Sequence, residues 1–198
     1  SDYPEVEVIV VDDGSTDDTK DVARSFDELD VRVLDTRGGE GPGAARNRGA
    51  AEARADLLVF IDADCEPERD WLARIVAAAG DAELVQGKVL PPDGASVGPF
   101  DRFIAVVSEY GLYQTANLAI RRELFERIGG FEQIVMPKRS KELGEDAWLG
   151  WRARRAGARN AFAADAVVRH AVFPRSPAGY LEEQWRVRFF PALTAHMP

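Results

Sequence analysis

Basic charge, sulfur and long oily runs are what this chain has least of. Lys and Arg total 25 against 34 Asp and Glu, for a formal net charge of -9. Phosphate polymers require a basic surface, so nucleic-acid binding is excluded as a function. An anionic small substrate would need a cation to hold it. The single cysteine, Cys65, forms no intrachain disulfide. Lying beside two aspartates, it reads as a small buried side chain, with a reactive thiol as the alternative. No apolar run approaches the length that crosses a bilayer, and nothing at Ser1 resembles a signal peptide. The segment is therefore expected to be soluble and cytoplasmic, with peripheral attachment to the inner face of a membrane, or tethering through a longer parent chain, left open. Its 198 residues suffice for one domain with a real core, and no internal repeat or low-complexity tract is present.

The stretch from Leu57 to Cys65 organises the rest. Leu57-Leu58-Val59-Phe60-Ile61 is too short for a helix and too uniformly apolar for a one-faced strand, so it predicts a buried strand of a parallel sheet. Asp62 and Asp64 follow at its carboxyl end, two residues apart and on the same side, where their charges repel unless a cation or several donors lie between. With oxygen ligands the hard ions Mg²⁺ or Mn²⁺ are favoured. The plainer alternative is that Asp62 ends the strand and Asp64 caps a turn.

Before it, Val6 to Val11 is a second β-branched run, ending in Asp12-Asp13-Gly14-Ser15-Thr16-Asp17. A polar helix start is expected there, capped by Ser15, Thr16 or Asp17 and running over 18–29. A short strand over 31–34 leads to a loop from Arg37 to Gly43 dense in glycine, which lets backbone approach a ligand. A small-residue helix over 44–55 carries Arg46, Asn47 and Arg48 on its first turns, suited to an anion. After the central strand, Pro67 is expected to open a helix that Gly80 stops, and a strand covers 84–90. Phe100, Phe103, Ile104 and Val107 have helical spacing, for core packing or a binding groove. A strand is expected over 115–120, a short helix over 121–128, a helix from Glu145 through Ala156, and a strand over 166–168 that delivers Arg169 and His170. The basic residues Lys138, Arg139 and Lys141 mark either a solvated loop or a lid over an anionic ligand. A last helix starts at Ser176-Pro177 and stripes Leu181, Trp185 and Phe189. Strand and helix alternate through the first half, the pattern of a doubly wound α/β layer.

Taken in order, five motifs are specific together. They are Val10-Val11-Asp12-Asp13-Gly14-Ser15-Thr16-Asp17; Gly43-Ala44-Ala45-Arg46-Asn47-Arg48-Gly49; Phe60-Ile61-Asp62-Ala63-Asp64; Ala116-Asn117-Leu118-Ala119-Ile120-Arg121-Arg122 with Gly129-Gly130-Phe131; and Gly144-Glu145-Asp146. This succession resembles the family-2 glycosyltransferases of the GT-A fold, and Val168-Arg169-His170 looks like the same family. The resemblance implies a single domain over 1–198, with a mostly parallel central sheet flanked by helices. Residues 1–95 would form the nucleotide-binding half and 96–198 the acceptor and catalytic half. The family usually opens with one more strand and helix ahead of the segment that begins at Ser1, so either an upstream piece, the preferred expectation, or a gap in the sheet is expected. Strands 6–11 and 57–61 both read as buried on two faces, so they call for a neighbour between them.

The family's residue roles map here as follows. Asp13, with Asp12 beside it, matches the acid that contacts the nucleobase, and Arg46 matches a basic residue near the nucleotide. Asp62 corresponds to the ribose side, Asn117 falls in a donor-site motif, and Asp64 is the metal ligand, with His170 resembling a histidine that completes the metal shell. Asp146 takes the place of the catalytic base, supported by Glu145. Alone, His170 could equally be a hydrogen-bonded structural group, and Glu145 and Asp146 could simply favour a helix start. The implied reaction is inverting, non-processive transfer from a UDP- or GDP-linked sugar to a glycan, lipid or small-molecule acceptor. The Gln-x-x-Arg-Trp motif of processive synthases is absent. Two forces oppose each other at Asp146: the helix amino end favours its ionised form, and Glu145 disfavours it. The rival readings are a nucleotide-sugar-binding domain without turnover, and a haloacid-dehalogenase-like phosphatase with Asp62 as nucleophile, for which Cys65-Glu66-Pro67 fits poorly.

Overall fold

A computed structural model of the chain describes residues 3–26, 29–132 and 144–185. The expected basic loop around Lys138 and the end of the last helix at Phe189 lie outside them. Seven strands and six α-helices follow one another along the described chain: β1 (Glu7–Asp12), α1 (Thr19–Arg24), β2 (Asp30–Asp35), α2 (Pro42–Glu52), β3 (Leu57–Phe60), β4 (Cys65–Pro67), α3 (Trp71–Ala79), β5 (Leu84–Leu90), β6 (Leu118–Arg121), α4 (Arg122–Arg127), α5 (Glu145–Arg155), β7 (Asn160–His170) and α6 (Pro177–Gln184).

β1 and β2 form a parallel pair of their own, while the larger sheet has the order β3-β6-β5-β7-β4. Its pairing corrects the expectation of a mostly parallel sheet. Only β5 and β7 run parallel; β3 with β6, β5 with β6 and β4 with β7 are antiparallel. Short apolar strands signal burial but carry no direction, and here strands from the second half of the chain insert between those of the first. β1 pairs with β2 alone and β3 with β6 alone, so each leaves an edge unpaired among the described residues. β1 is half-buried along most of its length rather than enclosed on both faces.

Two apolar clusters cover the faces of the larger sheet. Leu58, Leu84, Leu118, Ile120, Leu124 and Leu149 pack under α4 and α5; Trp71, Leu72, Ile75, Val85, Ala119 and Val168 pack under α3. The alternation is that of a strand buried on both faces: Leu84 faces one cluster and Val85 the other, as do Ile120 and Ala119. Each fully buried Leu or Ile contributes on the order of 2 kcal/mol of apolar burial. α3 turns an apolar face inward, burying Trp71, Leu72, Ile75 and Ala79. α2 lies so close to β1 that a Cβ on Gly49 would meet the Val11 Cγ2 at 3.2 Å.

Local differences have local causes. Pro67 ends the short strand β4 instead of opening a helix, because Cys65, Glu66 and Pro67 pair with β7. The apolar spacing from Phe100 to Val107 forms no helix. Val106 exchanges two backbone hydrogen bonds with Val89 (2.9 and 2.8 Å), and Arg102 does the same with Phe173 (both 2.9 Å); those partners replace the intrahelical ones. Helix α6 begins as expected at Ser176, whose hydroxyl accepts from the Gly179 N–H at 3.1 Å.

Candidate active site

Two of the carboxylates singled out in the sequence, Asp62 and Glu145, meet on one guanidinium. β3 stops at Phe60, and the chain turns so that the Cys65 N–H donates to the Asp62 carbonyl at 3.1 Å. Asp62 and Asp64 therefore sit in a turn rather than on a continuing strand. Arg46, on the second turn of α2, donates to Asp62 Oδ1 at 2.8 Å and to Glu145 Oε1 at 3.0 Å. Its guanidinium also lies 5.6 Å from the centre of the Phe131 ring. Arg46 thus joins the aspartate turn to the head of α5, where Glu145 lies 99 residues on from Arg46 in the sequence. Arg46, Asp62, Asp64, Arg102 and His170 line one open cleft of about 440 Å³.

The residues that hold α2 and α5 in place were only partly legible. Asn47 donates from Nδ2 to the Phe131 carbonyl at 2.7 Å and accepts from the Phe131 N–H at 2.8 Å. A Cβ on Gly130, where φ is +67°, would sit 2.6 Å from the Asn47 amide oxygen, so the double bond requires glycine there. Arg152 of α5 donates to the Ile128 carbonyl at 2.6 Å and to that of Gly130. The Gly129-Gly130-Phe131 turn is therefore gripped from both sides, and Arg46 and Glu145 meet because of it. Sequence reasoning placed Asn47 beside an anion and gave Arg152 no task; no local signal reveals a bond to a carbonyl two dozen residues away.

His170 is 1% exposed at the end of β7, with its Nε2 3.5 Å from Asp64 Oδ1. Its Nδ1 lies 2.7 Å from the Ala171 carbonyl. A carbonyl only accepts, so Nδ1 carries a proton, and in the neutral ring Nε2 turns a lone pair toward the Asp64 carboxylate. Two electron-rich atoms facing each other suit a divalent cation, and a ring N–H held by a carbonyl is the usual support of a metal-binding histidine. Asp64, Cys65 and His170 form the one such group among the described residues, with ligand atoms within 4.8 Å of one another. Burial, together with the Asp62 and Asp64 charges, pushes the Cys65 thiol up to about 12 in the metal-free protein, and hard ions disfavour sulfur, so Asp64 and His170 are the fitting ligand pair.

The opposition of forces at Asp146 has a clear winner. Its own Oδ1 accepts the Ala147 N–H at 2.7 Å at the amino end of α5, which favours the charged form. Crowding of the carboxyl by surrounding protein, together with the Glu145 charge, outweighs that bond and pushes Asp146 up to about 7. Such a carboxyl ionises near neutrality and is basic enough to take a proton from an alcohol as that alcohol attacks. Tyr110, from the loop between β5 and β6, lies close enough that the Asp146 charge, after burial, raises its phenol as well.

Asp12 and Asp13 are occupied by backbone. Asp12 is 4% exposed and accepts from the Gly14 and Ser15 N–H groups at 3.2 Å. Asp13 accepts from the Thr36 hydroxyl and from the N–H groups of Gly41 (2.8 Å) and Glu40 (3.0 Å), in that order the causes that lower its pKa. The two loops interlock, Gly14 against Gly38. Asn117 is a correction: it is fully buried and does not reach the cleft. Its Nδ2 donates to the Lys88 and Ala166 carbonyls at 2.9 and 2.8 Å, and its Oδ1 accepts from the Trp71 indole at 2.8 Å. At this point the register of β5 against β7 slips between Gly87 and Lys88; the Asn117 amide satisfies carbonyls that the slip would leave unpaired.

The profile described as Glycosyl transferase family 2 matches residues 1–131, and the chain belongs to that family. Among curated relatives, it is 34% identical over 202 residues to Glycosyltransferase AglE of Haloferax volcanii, covering 93% of this chain and 63% of that protein. It is 30% identical over 181 residues to the Pre-mycofactocin glycosyltransferase of Mycobacterium tuberculosis, covering 82% of this chain and 37% of that protein. The chain thus spans 37% to 63% of the length of these relatives. Among solved structures it superposes on mannosyltransferase PcManGT from Pyrobaculum calidifontis, in complex with GDP-Man and Mn2+, with a TM-score of 0.71 and 27% identity, over 98% of this chain and 55% of that one. It also superposes on S. aureus TarS 1-349 in complex with UDP-GlcNAc, with a TM-score of 0.67 and 21% identity, over 88% of this chain and 52% of that one, a likeness of fold. The fold is GT-A, mixed α/β, and the phosphatase reading falls with it.

Proposed function

We propose that the chain transfers a sugar from a nucleotide-diphosphate donor, UDP- or GDP-linked, to an acceptor hydroxyl with inversion and one transfer per encounter. The observation that carries this reading is the Arg46 bridge, which fixes the Asp62–Asp64 turn and the head of α5 on the same guanidinium. Metal-side and base-side groups are thereby held at a set separation. Asp64 and His170 would hold Mg²⁺ or Mn²⁺, which when bound offsets the negative charge of the departing diphosphate. Asp146 accepts the proton of the acceptor hydroxyl as its oxygen approaches the anomeric carbon from the face opposite the diphosphate. Glu145 keeps Arg46 in place and, by its charge, keeps Asp146 basic. Asp12 and Asp13 stiffen the loops that frame the nucleobase, and Asp62 lies toward the ribose. On this reading residues 1–95 supply most donor contacts and 96–198 the base and the acceptor side.

The test separates binding from transfer. Asp64→Asn should remove the Mn2+-dependent part of donor affinity, measured by calorimetry with UDP- and GDP-sugars. Asp146→Asn should leave that affinity within about twofold while transfer falls by roughly 10³. Full metal-dependent affinity in Asp64→Asn refutes the ligand assignment, and equal loss of binding in Asp146→Asn makes that residue structural. Donor binding without turnover by the unaltered protein would replace transfer with the binding-only reading.

A further inference from the structure

We propose that Arg102 binds the diphosphate of the donor, a residue in no motif of the chain and on the far side of the division at residue 95. The inference rests on the transfer reading and adds to it a specific ligand group. Among the described residues two cationic side chains line the cleft, Arg46 and Arg102. Arg46 is neutralised by Asp62 and Glu145. Among the described residues no carboxylate pairs with Arg102. The neighbouring Arg169 shows what a structural arginine looks like here, bound by Glu68 at 2.9 Å and Asp93 at 2.8 Å.

Arg102 is also held still. Its backbone exchanges two hydrogen bonds with Phe173, both at 2.9 Å, and its guanidinium lies 5.2 Å from the centre of the Phe173 ring. The adjacent Asp101 accepts from the Gly98 N–H at 2.8 Å and the Arg175 N–H at 3.4 Å, tying the same loop at two further points. A stacked guanidinium keeps its N–H edge available, and its fork of donors matches phosphate oxygens. Such preorganisation lowers the ordering cost of the contact.

Its position selects the anion. The Phe173 ring that carries Arg102 meets the His170 ring edge-on at 6.2 Å, and His170 in turn faces Asp64. Arg102 therefore belongs to the wall of the cleft that bears the candidate metal ligands. An acceptor should lie by Asp146, whereas the diphosphate should lie by Asp64. The cleft also exposes the Asp62 and Asp64 carboxylates, so a diphosphate that gains negative charge as it departs calls for a second cation beside any metal.

The experiment compares nucleoside diphosphates with monophosphates in the full chain: UDP, GDP, UMP and GMP, each with Mn2+ and again in EDTA. Arg102→Ala should weaken diphosphate binding by roughly tenfold or more while leaving monophosphate affinity within about twofold, and Arg102→Lys should recover part of the loss. In EDTA, whatever preference for diphosphate remains in the unaltered protein should disappear in Arg102→Ala. Unchanged diphosphate affinity overturns the proposal. So does an equal loss for diphosphate and monophosphate, which would place Arg102 against the nucleoside or in the fold. If the unaltered protein binds none of the four nucleotides, the transfer reading fails first and this assignment with it. Retained diphosphate binding in Arg102→Ala, by contrast, sinks the assignment alone.

Discussion

The outer edge of the β1–β2 pair and the head of α5 each hold a carboxyl group against protein, and they treat it in opposite ways. At the edge, burial alone would raise the Glu7 carboxyl, but the N–H groups of Arg54 (2.5 Å) and Ala55 (3.0 Å) and the guanidinium groups of Arg54 and Arg32 overcome it and hold Glu7 at about 2. At α5, Asp146 is far more closely surrounded by protein and has one N–H bond and a like-charged neighbour, and it rises to about 7. Both regions desolvate an acid. A second difference is that Arg46, the guanidinium that acts on Asp146 among the described residues, is paired with Asp62 and Glu145. A carboxylate supplied with donors serves the fold; one denied them becomes a base.

Three measurements would break or sharpen that contrast, beginning with the largest effect. The rate of transfer at saturating donor should fall about tenfold per pH unit on the acid side of about 7, because the base must be ionised to work. A rate flat down to pH 5 would show that Asp146 ionises normally or is not the base. Stability should move the other way. An acid whose folded pKa is raised binds more protons folded than unfolded, so it favours the fold below its ordinary pKa of 3.8 and loses that contribution as pH rises through about 7. At pH 8, Asp146→Asn should therefore be more stable than the unaltered protein, by on the order of 2–4 kcal/mol in urea unfolding. Unchanged or lower stability at pH 8 would remove the desolvation account. Glu7→Gln should destabilise by about 1–3 kcal/mol at pH 7. Glu7 stabilises above its unfolded value of 4.5 and loses that contribution as pH falls through about 2. The difference between the two proteins should accordingly shrink toward zero by pH 2; a constant difference would make the effect one of packing.

How much of the site could be read beforehand depended on the reach of each interaction. Asp62, Asp64, Glu145, Asp146 and His170 stood out because a strand end or a helix start announces itself in a few neighbouring residues, and the order of such signals carried the family. Asn117 misled for the same reason. It sits in a motif at the start of β6, but its role is set by the register slip between β5 and β7, which involves partners 29 and 49 residues away. Arg102 gave no signal at all. The apolar spacing around it suggested a helix, and two strand-like bridges to Val89 and Phe173 made it a pinned loop instead.

The order of strands and helices, the glycine turns and the identities of the acids were determined by the sequence itself, since β-branched runs, capping residues and glycine act over a few bonds. The direction of each strand, the meeting of Arg46 with Glu145, and the raised pKa of Asp146 were decided only by the tertiary structure. Pairing direction, ion pairing and desolvation all depend on groups that the chain keeps far apart until the core has closed.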